Sequence, residues 1–437
     1  MVFIILTSVL IISLFLSRIL FKRWFNPLAI YTIIWFVLLF LYELKLLRYY
    51  DLNSYTWFII ILSFLSFLIG VFFYFSIRSF LPDNSFENTS VNLFDNPIFA
   101  KNGKILFIAI IVTALIGLTG ALQHWNLLLK KFGSLENIFI YANIVYRMRV
   151  EGVLQGIAYL PTFSFVSIFL AGLYSAYKNK ISLITLLPLS AIILKDLANV
   201  GRVFMLFGLI EFLCVFLMVR YVMKAKETKG YLKSKKSNVI NFIIIIGIII
   251  LSASFVRSIK GQIESYKTAT SSLKNLNVAE VITPSIYLYF SSDIGVLKKY
   301  LEHNSEFARW GENTFMPLYS ILAKFKVIRE PRTYQKAYYI PMWSNTGTYL
   351  RELHADFGIA GIILGPFLLG FLSTFFFFKF LHEKKIEYLI IETYLYIIIF
   401  FTFLMIITRT GNWLISLILT IIIVSVLQKI GKATAKN

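Results

Sequence analysis

The feature that most constrains this chain is a series of apolar runs separated by short polar or basic segments. Most of these runs approach or reach the ~20 residues that a helix needs to cross a hydrocarbon layer of about 30 Å. The pattern therefore predicts an all-α polytopic integral membrane protein with about 11 transmembrane helices. The predicted spans are 2–20, 27–44, 55–77, 105–122, 153–177, 181–194, 202–222, 241–256, 358–378, 388–407 and 413–427.

Composition supports this class. Hydrophobic residues make up 58% of the 437 residues and charged residues only 15%, which excludes an ordinary soluble globular domain. The single cysteine, Cys214, excludes a framework of intramolecular disulfides. The first run has neither a charged leading segment nor a small-residue cleavage site, so we expect a retained helix rather than a signal peptide.

Basic residues in short loops predict the orientation, because such loops stay in the cytoplasm. If the N-terminus lies outside, the basic turns all fall on one side, at Lys22, Lys178, Lys229, Lys384 and Lys432. The segments predicted to face outward are then 124–151, 195–202, 257–355 and 408–413.

This topology predicts three regions. Residues 1–256 hold transmembrane helices 1–8, with an outer segment at 123–152 and a basic cytoplasmic loop at 223–237. Residues 257–355 contain no run long enough to cross and form a large outer cap. Residues 356–437 hold transmembrane helices 9–11 and a cytoplasmic tail.

Within the predicted cap, the stretch SIYLYFSSDIGVLKKYLE has the apolar spacing of an amphipathic helix. The cap is rich in aromatic residues, among them Tyr349. Such aromatics are suited to sugar stacking, which makes Tyr349 a candidate substrate contact. They also fit an interfacial aromatic belt, the commoner arrangement.

Basic residues on the predicted outer side need a separate explanation, because the orientation rule does not favour them there. Arginine is suited to bidentate contact with phosphate oxygens. The candidate anion-binding residues are Arg147, Arg149, Lys195, Arg202, Arg351 and Arg409. Snorkelling of single side chains near helix ends is the simpler explanation for most of them. Arg202 and Arg409 stand next to, or one residue from, a glycine at a helix mouth, where helix amides also favour anions.

A second charged cluster leads directly into a glycine-studded apolar run at 358–378. It comprises Arg351, Glu352, His354 and Asp356. Glu352 and Asp356 are four residues apart and share a face if helical, so mutual repulsion would raise one pKa and suit a general base. Two alternatives stay open. The two carboxylates only stabilise a helix N-terminus, or Arg351 and His354 neutralise their charge.

Several chemistries lack their motifs. The chain has no Cys/His cluster with zinc spacing, no GxxxxGK[ST] loop, no GxSxG elbow and no Asp-x-Asp pair. We therefore expect no metal and no cofactor.

The run NTGTYLRELHADFGIAGIILGPFLLG resembles the signature of oligosaccharide repeat-unit polymerases, the O-antigen and capsule polymerases of Wzy type. Asn26-Pro27, Gly201-Arg202 and the stretches IYLYFSSDIGVLKKYLEHN and ENTFMPLYSILAKF are also similar to that family. The resemblance implies a GT-C-like, metal-independent glycosyltransferase in the cytoplasmic (inner) membrane. It would join undecaprenyl-diphosphate-linked repeat units on the periplasmic face by block transfer. Its partners would be that lipid-linked oligosaccharide as donor and acceptor, the bilayer, a chain-length regulator and a flippase, but no nucleic acid.

With that resemblance, the catalytic candidates are Asp356, Glu352, His354 and Arg202. Two alternatives remain open. A polysaccharide ligase would use the same donor on a similar scaffold. A flippase or transporter for lipid-linked oligosaccharide would not be an enzyme, and it should show internal repeats and charges in mid-span.

The orientation is testable with reporter fusions at Lys233 and Asn304. We expect Lys233 to report the cytoplasm and Asn304 the opposite compartment, because short basic loops are retained inside. If both fusions report the same compartment, the topology is wrong.

Overall fold

A computed structural model describes residues 2–80, 92–150, 159–224, 247, 284–303, 306, 308–332 and 335–436. The predicted span 241–256, apart from residue 247, lies outside the described residues. So do the basic loop from residue 225 onward and the first part of the predicted cap, 257–283.

The described residues are mainly helical. The helices are α1 Val2–Phe21, α2 Pro27–Glu43, α3 Ser54–Phe80, α4 Ala100–Phe132, α5 Leu135–Ile140, α6 Ala142–Val150, α7 Phe163–Lys178, α8 Leu187–Ala198, α9 Val203–Lys224, α10 Pro284–His303, α11 Met316–Lys324, α12 Tyr349–Phe357, α13 Ile359–Glu383, α14 Ile386–Phe401 and α15 Gly411–Lys436. Two short strands, β1 Tyr338–Tyr339 and β2 Trp343–Ser344, pair antiparallel with Tyr338 opposite Ser344.

Seven helical segments within the described residues are long and apolar enough to cross a membrane. They are Val2–Phe21, Ser54–Phe80, Pro97–Phe132, Leu160–Lys178, Val203–Arg220, Ile359–Glu383 and Gly411–Thr434. The prediction of an all-α polytopic membrane protein is confirmed at this level. The predicted run 181–194 instead gives a short 3-10 turn and α8, and α2 is apolar but shorter than a full span.

The chain divides into two compact units, each assembled from three segments. Unit 1 comprises Met1–Glu87, Glu264–Lys379 and Leu395–Trp413. Unit 2 comprises Asn88–Ile263, Phe380–Tyr394 and Leu414–Asn437. The predicted division at residues 256 and 355 follows topology, whereas these units follow packing.

Local sequence explains where two helices of unit 1 begin and end. The side chain of Asn26 accepts a hydrogen bond from the Ala29 N–H at 2.8 Å, and Pro27 is the first residue of α2. This is a side-chain N-cap followed by the proline that such a position tolerates. Gly358, with a φ of 62°, ends α12 and donates its N–H to the His354 carbonyl. The membrane helix α13 therefore begins immediately after the charged cluster.

Glycines allow close contact between α3 and α13 in unit 1. A Cβ atom on Gly70 would lie 2.1 Å from the Phe367 carbonyl oxygen, and one on Gly370 would lie 2.3 Å from that of Phe67. Small residues at such crossings let helix backbones approach in lipid. The glycine-studded run therefore serves helix packing, as its composition predicts.

Unit 2 has close contacts of the same kind among its own helices. A Cβ atom on Gly117 of α4 would lie 2.0 Å from the Ser164 hydroxyl of α7. Ser167 donates to the Ile110 carbonyl at 2.8 Å, and the Trp125 indole donates to the Leu194 carbonyl at 2.9 Å. These bonds connect α4 to α7 and to α8.

We expect Gly70→Leu to lower the thermal stability of the detergent-solubilised protein markedly, because no side chain fits against the α13 backbone. Size-exclusion fluorescence after heating measures the loss. Ser76→Leu is the control, since Ser76 is an exposed residue of the same helix. Equal stability of the two variants would contradict this account of the helix contact.

Candidate functional site

The charged cluster lies on α12, which two anchors fix within unit 1. The Tyr349 hydroxyl lies 2.8 Å from the Tyr31 hydroxyl and 2.9 Å from that of Ser63, and those two are 3.0 Å apart. The Tyr349 N–H also donates to the Thr402 carbonyl at 3.0 Å. Tyr349 is 3% exposed, so these contacts make it an anchor of α12, and its contact with a sugar stays a prediction.

Glu352 is buried on the next turn and accepts three hydrogen bonds. Its Oε1 accepts from Arg409 Nη1 and Gln335 Nε2, and its Oε2 accepts from the Ile406 N–H. The pairing with Arg409 joins two residues that the sequence analysis selected separately. A carboxylate offers about four acceptor positions, and the described residues fill three of those of Glu352.

Burial raises the pKa of Glu352, although Arg409 and the Ile406 N–H act in the opposite direction. The spacing of Glu352 and Asp356 in the sequence predicts a raised pKa from repulsion between the two carboxylates. The direction agrees for Glu352, but the leading cause is loss of solvent.

Asp356 has a different environment on the same helix. Its Oδ1 accepts from the N–H and the side-chain amide of Asn313 at 3.0 and 2.9 Å. Its Oδ2 accepts from the N–H and hydroxyl of Thr314, both at 2.8 Å. Burial raises the pKa of Asp356 while these bonds oppose the shift. Four donors use all of the roughly four acceptor positions, so the contacts are those of a residue that fixes the 313–314 turn to α12.

Arg351 is 1% exposed. Its Nη2 donates to Glu306 and to the Lys336 carbonyl, both at 2.6 Å, and its Nη1 donates to the Asn345 carbonyl at 2.9 Å. The guanidinium also lies near the rings of Tyr300 and Tyr338. Arg351 therefore positions the segment that contains β1 and β2.

A pocket of about 100 Å³ lies in unit 1, where Arg351 and Glu352 form part of its lining. Its lining contains three carboxylates, three cationic side chains and two amides, contributed by Glu306, Ala308, Glu312, Asn313, Arg332, Gln335, Lys336, Arg351, Glu352 and Ala355. Both donors and acceptors therefore face the space, as a ligand with many hydroxyl groups requires.

Glu312 stabilises one wall of the pocket. It pairs with the Arg309 guanidinium at 3.0 and 3.2 Å and accepts from the Arg332 N–H at 2.9 Å. Burial alone would raise its pKa, but Arg309 and the backbone N–H groups outweigh burial and lower the pKa to about 2. Glu312 is thus ionised at any physiological pH.

His354 is half-buried, and its Nδ1 lies 2.9 Å from the Tyr300 hydroxyl. Burial lowers its pKa, which favours the neutral ring. It is not among the residues that line the pocket, so its predicted catalytic role gains no support from this geometry.

The other predicted anion-binding residues belong to unit 2. Arg147 is exposed on α6, which also carries Arg149. The Lys195 ammonium lies 4.5 Å from the centre of the Phe204 ring. Arg202 directly precedes α9, where the Asp196 carboxylate accepts the Met205 N–H at 2.8 Å. A protein carboxylate therefore already occupies part of the helix N-terminus that we predicted for a diphosphate.

The site residues predicted from the sequence do not include Glu306, Glu312, Gln335 or Lys336. Glu312 begins the stretch ENTFMPLYSILAKF, but no spacing rule relates it to Glu352. All four are polar residues of the predicted cap, so a selection by polarity alone would have included them. Only the folded chain shows that they line one space.

The described residues contain no group of three or more His, Cys, Asp or Glu side chains that could hold a metal ion. Comparison of the chain with protein-family models, with curated proteins and with solved structures finds no match.

We expect Asp356→Asn to destabilise the protein by about 1–3 kcal/mol. The NH2 group of the new amide is a donor, and it would face the N–H and the hydroxyl of Thr314, which also donate. The midpoint of heat-induced unfolding in detergent should fall, and Thr314→Val should lower it less once Asp356→Asn is present. Asp51→Asn is the control, since Asp51 is a surface carboxylate paired with Lys45. If the Asp356→Asn protein were fully stable but completely inactive, Asp356 would be the better candidate for the general base.

Proposed function

We propose that this protein is a membrane glycosyltransferase of GT-C-like architecture that joins lipid-linked oligosaccharide repeat units into a surface polysaccharide. The observation that carries the proposal is Glu352: a buried carboxylate in the lining of a polar pocket, with three of its roughly four acceptor positions filled by described residues. We assign the pocket to the acceptor sugar and Glu352 to the general base.

In the proposed reaction, the acceptor hydroxyl attacks the anomeric carbon of the donor glycan. The new glycosidic C–O bond forms as the bond between that carbon and the phosphate oxygen breaks. Undecaprenyl diphosphate leaves with the electron pair, and Glu352 takes the hydroxyl proton. Arg409 orients Glu352 through its hydrogen bond.

Charge develops on the leaving diphosphate, and fixed cations lower the barrier for such a step. The pocket lining contains the cationic residues Arg332 and Lys336, and we assign these two to the leaving diphosphate. The residues Arg147, Arg149, Lys195 and Arg202 belong to unit 2, and their contact with a diphosphate stays a prediction from the sequence, separate from the pocket of unit 1.

The position of the pocket along the chain supports a lipid-linked substrate. Ala355 lines the pocket, and Ile359 begins the membrane helix α13 one turn later. A sugar attached to a membrane lipid through a diphosphate would be held at that level. We assign the pocket to the periplasmic face of the cytoplasmic membrane, as the loop charges predict.

Transport of lipid-linked oligosaccharide is a second candidate, favoured by buried carboxylates on apolar helices of unit 2. Glu211 on α9 is fully buried beside the Tyr394 phenol. Glu392 on α14 is fully buried, and its carboxylate has no hydrogen-bond partner among the described residues. Acidic residues at membrane depth are typical of ion or substrate pathways.

Deletion of the gene, followed by gel analysis of the surface glycan, separates these functions. A polymerase deletion should leave single repeat units, a ligase deletion none on the acceptor, and a transporter deletion no exported units. Complementation with Glu352→Gln should restore about a hundredth or less of the polymer synthesis rate, as loss of a general base implies. Glu330→Gln, a change at an exposed carboxylate, should restore it fully. Full-length polymer from Glu352→Gln at normal expression would refute the assignment of the base.

The pH dependence of polymerisation by the purified protein gives an independent measurement. A base works deprotonated, so the rate should fall as the pH drops through the raised pKa of Glu352. Gln335→Leu removes a donor to the charged form and should move this acid limb to higher pH. An acid limb that is identical in wild type and Gln335→Leu would exclude Glu352 as the titrating group.

A further inference from the structure

The helix α11 and its C-terminal flank expose apolar side chains that the described residues leave uncovered. Leu318, Ile321 and Phe325 are 54%, 51% and 74% exposed, and their spacing of three and four residues puts them on one helix face. Trp310 and Val327 add exposed fractions of 73% and 67% on either side. We call these five residues the α11 apolar face.

The end of α11 directs Val327 outward. The Lys326 N–H donates to the Ala323 carbonyl at 2.8 Å, and the Val327 N–H donates to the Leu322 carbonyl at 3.0 Å. This is the Schellman arrangement, with Lys326 at a φ of 58° where glycine is usual.

Exposed cations border the apolar face. Lys324, Lys326 and Arg329 are all exposed, and the sequence from 313 to 329 contains no acidic residue. An apolar stripe next to a purely basic stretch complements the surface of an anionic bilayer.

Contacts within unit 1 place this helix at the level where membrane helices begin. The Trp310 ring lies 5.0 Å from that of Phe357, two residues before α13. The Thr408 hydroxyl donates to the Thr314 carbonyl at 3.1 Å, and α15 begins at Gly411. The turn before α11 is therefore fixed to the start of two membrane spans.

We propose that α11 is an interfacial anchor, which inserts the α11 apolar face among lipid headgroups while Lys324, Lys326 and Arg329 bind anionic phospholipid. This assignment is independent of the proposed function. The anchor has pocket residues on both sides, Glu312 and Asn313 before α11 and Arg332 after it. It therefore holds the pocket walls at the bilayer surface.

Spin labels measure this insertion directly. Single cysteines at 318, 321, 325 and 330, in a Cys214→Ala background, are labelled in protein reconstituted into bilayers of phosphatidylglycerol and phosphatidylcholine. Collision rates with oxygen and with a water-soluble nickel chelate report depth. We expect an oxygen-to-nickel ratio at 321 and 325 several-fold above that at residue 330, an exposed position beyond the face.

Two outcomes would overturn the proposal. Ratios at 321 and 325 equal to that at 330 would show that the face is in water. Exclusion of both reagents would show that protein covers it.

A second comparison tests the charged part. The triple variant K324Q/K326Q/R329Q should place the labels less deeply in phosphatidylglycerol bilayers but not in pure phosphatidylcholine. Unchanged depth in both lipids would refute the role of the basic residues.

Discussion

The ion pair between Glu352 and Arg409 is the interaction on which the site depends. Glu352 belongs to α12, whereas Arg409 lies in the turn before α15, so the pair joins two segments at the start of membrane spans. Removing two charges from water costs several kcal/mol per ion. Hydrogen bonds from Gln335 and the Ile406 N–H offset this cost, because a buried pair is stable only when its remaining acceptors are satisfied.

Glu352 and Asp356 show how one helix can place two similar carboxylates in different environments. Both are buried, and burial raises both pKa values. Among the described residues they differ in the number of donors around them: Asp356 has four and Glu352 three. An acceptor position that remains open is a necessary property of a base, and a shifted pKa alone does not establish it.

Sequence patterns predicted the features that depend on local physics. Hydropathy gave most of the membrane helices, the apolar spacing gave α10, and Asn26-Pro27 gave the start of α2. The charged cluster preceding α13 was also correctly located. The partners of these charges depend on contacts between residues far apart in sequence, such as Ile406 with Glu352, and no local pattern contains them. At Arg202 the relevant partner is local in sequence. The Asp196 carboxylate occupies part of the N-terminus of α9 and is only six residues from Arg202.

The three hydroxyl groups of Tyr31, Ser63 and Tyr349 form a closed ring. Each oxygen can donate one hydrogen bond and accept another, so the ring satisfies itself in either direction of circulation. It fixes α12 to two apolar helices through neutral hydroxyl groups. Loss of any one hydroxyl breaks two of the three bonds and leaves the other two hydroxyls sharing the third. A second loss breaks only the bond that remains, and because the bonds polarise one another, the ring acts as a single cooperative unit rather than as three separate contacts.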